Sequence, residues 1–151
     1  MFLAQPNNIN NQESVKRFSV HSVRKVRHAA YCLHVHIVFV TKYRRRILGD
    51  PHLKAFRRAA EGVCADFEAE LVECDGEADH VHMLITYPPK VQISRLVNSL
   101  KAVTSRRLRN EFADLRGAYN KPVLWSRSYF AGSCGGAPLE VIADYVRHQR
   151  G

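Results

Sequence analysis

An α+β domain built on one antiparallel sheet is the fold class this sequence predicts, and three observations carry it. Residues 29–41 and 80–85 alternate side chains with a period of two and are rich in strand formers. Residues 53–67 and 93–108 instead repeat apolar side chains at helical spacing. Taken in order, strands and helices alternate along the chain, which packs them as one sheet with a helical layer against it. With 151 residues and 46% hydrophobic content, the chain can bury such a core without disulfides or a structural metal.

Residues 1–22 lack apolar periodicity and contain Asn7-Asn8-Ile9-Asn10-Asn11-Gln12, the composition of a flexible tail ahead of a single domain spanning 23–151. The first strand, 29–41, sets Tyr31, Leu33, Val35, Ile37 and Phe39 on one face and His34, His36 and Val38 on the other. It runs into Lys42-Tyr43-Arg44-Arg45-Arg46. Cations around one aromatic suit a contact that tracks a single-stranded nucleic-acid backbone while Tyr43 stacks on a base; a solvated basic loop is the competing reading.

Asp50 followed by Pro51 has the form of an N-cap and first helical residue, and Leu53, Phe56, Ala60, Val63, Cys64 and Phe67 form the stripe of the helix that follows. A second strand is expected over 68–74, with Asp75-Gly76 as the hairpin turn into the strand that carries His80 and His82. A second helix, 91–112, buries Ile93, Leu96, Val97, Leu100, Val103 and Leu108 and leaves Lys101, Arg106, Arg107 and Arg109 mostly outside. A last strand lies near 123–131. Gly132-Ser133-Cys134-Gly135-Gly136 then interrupts regular structure, and Pro138 opens a closing helix over 139–149. The order β-α-β-β-α-β is that of a ferredoxin-like four-stranded antiparallel sheet with helices on one face, here with one added C-terminal helix.

Lysine and arginine number 23 against 14 acidic residues, a net charge of +9, which favours a polyanionic partner through counterion release. Cys32, Cys64, Cys74 and Cys134 show no C-x-x-C spacing and read as free thiols in a reducing compartment. The start of the chain lacks the apolar core of a signal peptide, and no run reaches the length of a membrane span. A soluble, cytoplasmic protein with no membrane partner is therefore expected.

His80 and His82 flank Val81 on a strand, so their imidazoles share a face and offer two neutral nitrogens to one divalent cation. The pattern also arises by chance, and His34-Val35-His36 repeats it. On the closing helix Tyr145 and Gln149 lie four residues apart, along the flank of the stripe Leu139, Ile142 and Val146. Alone, that pair reads as a tyrosine covering the core edge. Beside the histidines, the Gln149 carbonyl could complete a site for Mg²⁺ or Mn²⁺ whose open positions hold a phosphate oxygen within reach of Tyr145. Tyrosine needs such help, because with a pKa near 10 about one part in a thousand is ionised at neutral pH, a cost of roughly 4 kcal/mol. Together these groups make a phosphodiester-cleaving site.

Five ordered blocks make a more specific pattern: Tyr31 to Arg45, Asp79-His80-Val81-His82, Leu100-Lys101 ahead of Thr104-Ser105-Arg106, Leu124 to Phe130, and Tyr145-Val146-Arg147-His148-Gln149. In these the chain resembles the TnpA type of bacterial single-tyrosine HUH transposase, the insertion-sequence family two-hundred/six-hundred-and-five. The resemblance implies a metal-dependent DNA transposase that cleaves and rejoins single strands through a 5′-phosphotyrosine. It further implies Tyr145 as nucleophile, with His80, His82 and Gln149 as metal ligands. Asp79 would either orient a ligating histidine or be a strand-end acid. The copy at His34 and His36 would be structural, with His36 a satisfied sheet histidine. The family recognises hairpins near element ends and works as a homodimer with composite active sites; Gly132, Gly135 and Gly136 would be the joint that lets the helix swing. Lys42, Tyr43, Arg44, Arg45, Arg46, Lys101, Arg106 and Arg107 are the candidate DNA contacts, mostly to phosphates. Two rival readings are a non-catalytic nucleic-acid-binding module of the same fold and a domesticated HUH nickase.

Overall fold

The computed structural model describes residues 24–26, 29–31, 33–133 and 146–148. β1 (Arg24–Val26) and β2 (Ala29–Tyr31) form a separate two-stranded antiparallel sheet. β3 (His34–Val40) is the first strand of the main sheet. The single strand expected over 29–41 is thus two strands, because its first residues find their ladder partner in β1 and the rest in the main sheet.

α1 (Asp50–Asp66) leads into β4 (Glu70–Glu77) and β5 (His80–Thr86). α2 (Ile93–Glu111), the short α3 (Ala113–Arg116) and β6 (Phe130–Ser133) complete the order. The four strands lie in the order β4-β5-β3-β6, every pair antiparallel. This is the ferredoxin-like arrangement expected from the alternation of elements.

Several local expectations are corrected. Asp50 is not the N-cap: Gly49 is, and its amide donates to His52 Nδ1 at 2.8 Å, so the imidazole does the capping and Asp50 is already helical. Asp75-Gly76 is not the hairpin turn. Both residues lie inside β4, opposite His82 and Val81, and the chain reverses at Ala78-Asp79. Gly76 is needed there because a β-carbon would strike the His80 carbonyl oxygen and lie 3.1 Å from Val81 Cα. Of the last strand expected over 123–131, Trp125 makes only an isolated bridge to Thr41, and regular pairing begins at Phe130. Gly132 and Ser133 do not break structure; they pair with His36 and Val35. A β-carbon on Gly132 would come within 2.9 Å of the Phe130 ring, so this glycine makes room for an aromatic and is no part of a joint. Residues 146–148 are helical, as the closing-helix expectation requires; residues 1–22, Cys32, Cys134, Gly135, Gly136 and 139–145 lie outside the described residues.

The two faces of the sheet differ in a way that fixes the site. Val35, Ile37 and Phe39 of β3 and Val81, Met83 and Ile85 of β5 turn toward α1 and α2, where they join Phe56, Val63, Leu96 and Leu100 in the main core. Phe39 and Phe56 each lie 5.6 Å from Trp125, whose Nε1 donates to Thr104 Oγ1 at 3.0 Å and ties the segment after α3 to α2. Burial pushes the free thiols of Cys64 and Cys74 up to about 12 and about 11, as expected of inert core cysteines. On the opposite face lie His34, His36, Val38 and Val40 of β3 and His80, His82, Leu84 and Thr86 of β5, since alternate residues of a strand point to opposite sides. Val146 of the closing segment packs against Val38 and Val40 there, alongside Phe130.

Candidate active site

β5 delivers the two histidines. His80 sits opposite Val40 on one side and Glu77 on the other; His82 sits opposite Val38 and Asp75. The imidazoles are near parallel, 28° apart in plane with centroids 6.5 Å apart. Burial is the main cause that pulls the His82 pKa below its usual value; the His80 charge acts the same way, and Asp75, Glu73 and Glu77 pull against it. His82 is therefore a neutral ring at pH 7, the form that ligates a metal.

Asp79, at the hairpin turn, is 3% exposed and accepts from His80 Nδ1 at 2.9 Å. Its second oxygen lies 3.3 Å from Arg44 Nη2 and 3.4 Å from Arg44 Nε, a two-pronged contact. Burial alone would raise the Asp79 carboxyl, but the hydrogen bonds and charges of His80 and Arg44 outweigh it and hold the group below the usual carboxylate range. An ionised carboxylate can only accept, so Nδ1 of His80 donates to it, and Nε2 is the ring nitrogen left to face a ligand. The contact fixes the orientation of the His80 ring, as the first of the two roles expected of Asp79 requires.

Among the described residues, Glu77, Asp79 and His80 bring donor atoms within 4.8 Å of one another. Glu77 was missed by sequence reasoning. The signal that could have found it is the true register, because placing the turn at Ala78-Asp79 makes Glu77 the cross-strand partner of His80. Imidazole nitrogen beside carboxylate oxygens is a donor set that can hold a divalent cation. Asp79→Asn is expected to weaken Mn²⁺ binding about 10- to 100-fold in calorimetric titration, the usual range for loss of an outer-shell partner. An unchanged affinity would make Asp79 a strand-end acid only.

The histidines line a cavity of about 420 Å³ together with Arg44, Arg46, Asp79, Val146 and Arg147. Arg44 also donates through Nη1 to the Arg147 carbonyl at 2.8 Å, so one guanidinium joins the acid that orients His80 to the closing segment. Tyr145 and Gln149 lie outside the described residues. They flank 146–148 in the sequence, and 146–147 form part of the cavity wall.

The candidate DNA contacts separate into distinct places. Arg44 and Arg46 line the histidine cavity, and Lys42, Tyr43 and Arg45 line a second one. The split arises in the Lys42–Arg44 turn, where Tyr43 and Arg44 take φ of 60° and 54°. Two successive non-glycine residues in the left-handed region cost about 1–2 kcal/mol each, so tertiary contacts must hold them. Lys101 donates to the Ser126 and Arg127 carbonyls at 2.8 and 2.9 Å and pins that loop; burial, then the charges of Lys42 and Arg127, lower its pKa. Arg106 borders a depression beside Trp125, and Arg107 is exposed on α2. In the histidine copy on β3, His34 Nδ1 meets Thr86 Oγ1 at 3.1 Å. His36, expected to be satisfied, has a buried Nδ1 with no hydrogen-bond partner among the described residues; its cross-strand neighbours, Leu84 and Gly132, offer no polar side chain.

Against known proteins, a family model described as IS200-like transposase matches residues 29–149. The transposase of insertion sequence IS200 from Salmonella typhimurium strain LT2 is 31% identical over 126 residues, 83% of this chain and 82% of that protein. The ISDra2 transposase TnpA of Deinococcus radiodurans is 26% identical over 127 residues, 84% of this chain and 91% of that protein. Among solved structures, a Deinococcus radiodurans R1 protein solved as a candidate transposase superposes with a TM-score of 0.77 at 27% identity, covering 84% of this chain and 98% of its own. A REP-associated tyrosine transposase bound to a REP hairpin shares the fold, with a TM-score of 0.52 at 15% identity over 83% of this chain and 67% of its own.

Proposed function

The chain belongs to the IS200-like transposases, single-tyrosine enzymes that cut and transfer DNA strands, and from that premise we propose that Tyr145 is the group that attacks the scissile phosphodiester. The phenolic oxygen forms a bond to phosphorus, the bond from phosphorus to the 3′ oxygen breaks, and the phenol proton ends on the released 3′-hydroxyl. The 5′-phosphate stays on the tyrosine. A 3′-hydroxyl attacking that phosphotyrosine reverses the step and joins strands without a nucleotide cofactor.

The observation that carries this reading is the seating of 146–148 on the histidine face. Val146 packs on Val38 and Val40, the cross-strand partners of His82 and His80, and Arg44 bonds the Arg147 carbonyl. Tyr145 is thus one peptide bond from the wall of the cavity that holds both imidazoles. His80, His82 and Gln149 would hold a Mg²⁺ or Mn²⁺ ion, with Glu77 as a further oxygen donor. Such an ion polarises a phosphoryl oxygen and contributes several kcal/mol of charge stabilisation. Arg46, which lines the same cavity, would contact the phosphate.

The substrate in this reading is single-stranded DNA with hairpin ends. The family membership supports that, and so does the hairpin bound by the REP-associated relative, at the level of a shared fold. The proposed assembly is a homodimer in which the closing helix can serve either its own or the partner subunit's histidines; in the single chain, Val146 and Arg147 line the cavity of its own pair. Among the described residues no helix is long and apolar enough to cross a membrane.

Incubation with end-labelled single-stranded DNA and Mg²⁺ should give a denaturation-resistant protein–DNA adduct that chelator suppresses. Binding without any adduct would leave a nucleic-acid-binding module; an adduct without strand rejoining would leave a nickase.

A further inference from the structure

The cavity on the other side of the 42–46 segment has no role in the chemistry above. We propose that it is a nucleobase pocket, which stacks one unpaired base of the same DNA strand whose phosphate lies at the histidines. The proposal rests on the cleavage reading only for the identity of that strand.

Its floor is a strained turn. Tyr43 (φ 60°, ψ 17°) and Arg44 (φ 54°) are both left-handed, a state that non-glycine residues keep only where surrounding contacts enforce it. The contacts are present. Arg44 N donates to the Thr41 carbonyl at 2.9 Å, Thr41 Oγ1 to the Arg45 carbonyl at 2.7 Å and Tyr119 Oη to the Lys42 carbonyl at 2.6 Å, while the Arg45 guanidinium donates to the Ala118 carbonyl. What the strain achieves is a division of labour, with Arg44 turned to Asp79 and Tyr43 left 60% exposed on the far side.

The pocket has the make-up of a stacking site. Tyr43 and Tyr119 stand with ring centroids 6.3 Å apart and planes at 51°. The Arg45 guanidinium lies 4.8 Å from the Tyr119 ring and 5.7 Å from the Tyr43 ring, and Lys42 Nζ lies 5.4 Å from Tyr43. Lys121 and Arg127 add further positive charge, and among the described residues no carboxylate lines the space of about 560 Å³. Asn120 brings an amide, which carries both donors and an acceptor for a base edge. Aromatic rings with cations around them take a base and its flanking phosphates. Because Arg44 and Arg46 line the histidine cavity while Lys42, Tyr43 and Arg45 line this one, the segment is a wall shared by both. A strand lying across it would place a phosphate on one side and a nearby base on the other, so this pocket would help choose where the strand is cut.

The test compares a fifteen-nucleotide thymidine oligomer with an abasic oligomer of equal length by fluorescence anisotropy. Tyr43→Leu is expected to weaken binding of the thymidine oligomer about 5- to 100-fold, with little effect on the abasic one, and Tyr43→Phe to bind as wild type. The slope of affinity against salt should stay unchanged, since no phosphate contact is removed. In wild-type protein the emission of a 2-aminopurine within the thymidine oligomer should fall on binding, a readout that needs no variant. Equal loss on both oligomers, no loss, or unquenched 2-aminopurine would overturn the pocket. Adduct formation by the wild-type protein on hairpin-ended single-stranded DNA with Mg²⁺ separates the two ideas: a base-dependent Tyr43→Leu defect on the oligomers without any wild-type adduct keeps the pocket and removes the cleavage reading. An adduct with Tyr43→Leu binding as wild type does the reverse.

Discussion

Tyr145→Phe is expected to abolish the covalent protein–DNA adduct, a loss of at least about a thousandfold in strand cleavage, while binding of single-stranded DNA stays within about twofold of wild type. The substitution removes one oxygen and keeps the ring, so packing at the start of the 146–148 segment is not the variable. The size of the loss follows from the chemistry. A phenol at neutral pH is a weak nucleophile, and the site must offset roughly 4 kcal/mol for its ionisation. Phenylalanine leaves nothing to ionise, and water in its place would yield free ends instead of an adduct. Denaturing gel electrophoresis of end-labelled DNA reads both outcomes. An adduct that persists in Tyr145→Phe would remove the nucleophile assignment.

The second large effect is expected from the histidines. His80→Ala and His82→Ala should each cut adduct formation by more than about a hundredfold, since losing a ligand costs more than the 10- to 100-fold typical of losing its outer-shell partner. Raised Mn²⁺ should recover part of the activity of either variant and none of Tyr145→Phe. The fold should tolerate both changes. His80 and His82 stand on the face away from α1 and α2, while their neighbours Val81 and Met83 fill the main core. Thermal midpoints close to wild type would confirm that the loss is one of chemistry. Full activity of both variants with chelator present would sink the metal reading.

Much of the architecture is legible from the sequence because it rests on local periodicity. The alternation in residues 80–86 marks β5 and puts both imidazoles on one side, and the apolar stripe from Phe56 to Cys64 marks α1. Boundaries are harder. Asp75-Gly76 has the composition of a hairpin turn, yet Gly76 is there for the close approach of the neighbouring backbone, and nothing in the dipeptide distinguishes the two uses. Gly132-Ser133 misleads in the same way, since a glycine that clears space for Phe130 looks like a glycine that ends a strand.

The sequence by itself determined the order of elements, the shared face of His80 and His82, and the ordered blocks that mark the family, because each depends on residues close together along the chain. Only the tertiary structure decided which groups those histidines meet. Arg44 reaches Asp79 across 35 residues and the Arg147 carbonyl across 103, and Glu77 becomes a neighbour of His80 only once the true turn sets the register. Side-chain composition carries no record of such pairings. They follow from how a twisted sheet and its closing segment pack together, and one arginine among several was drawn from the basic cluster to the buried acid that needed a counter-charge.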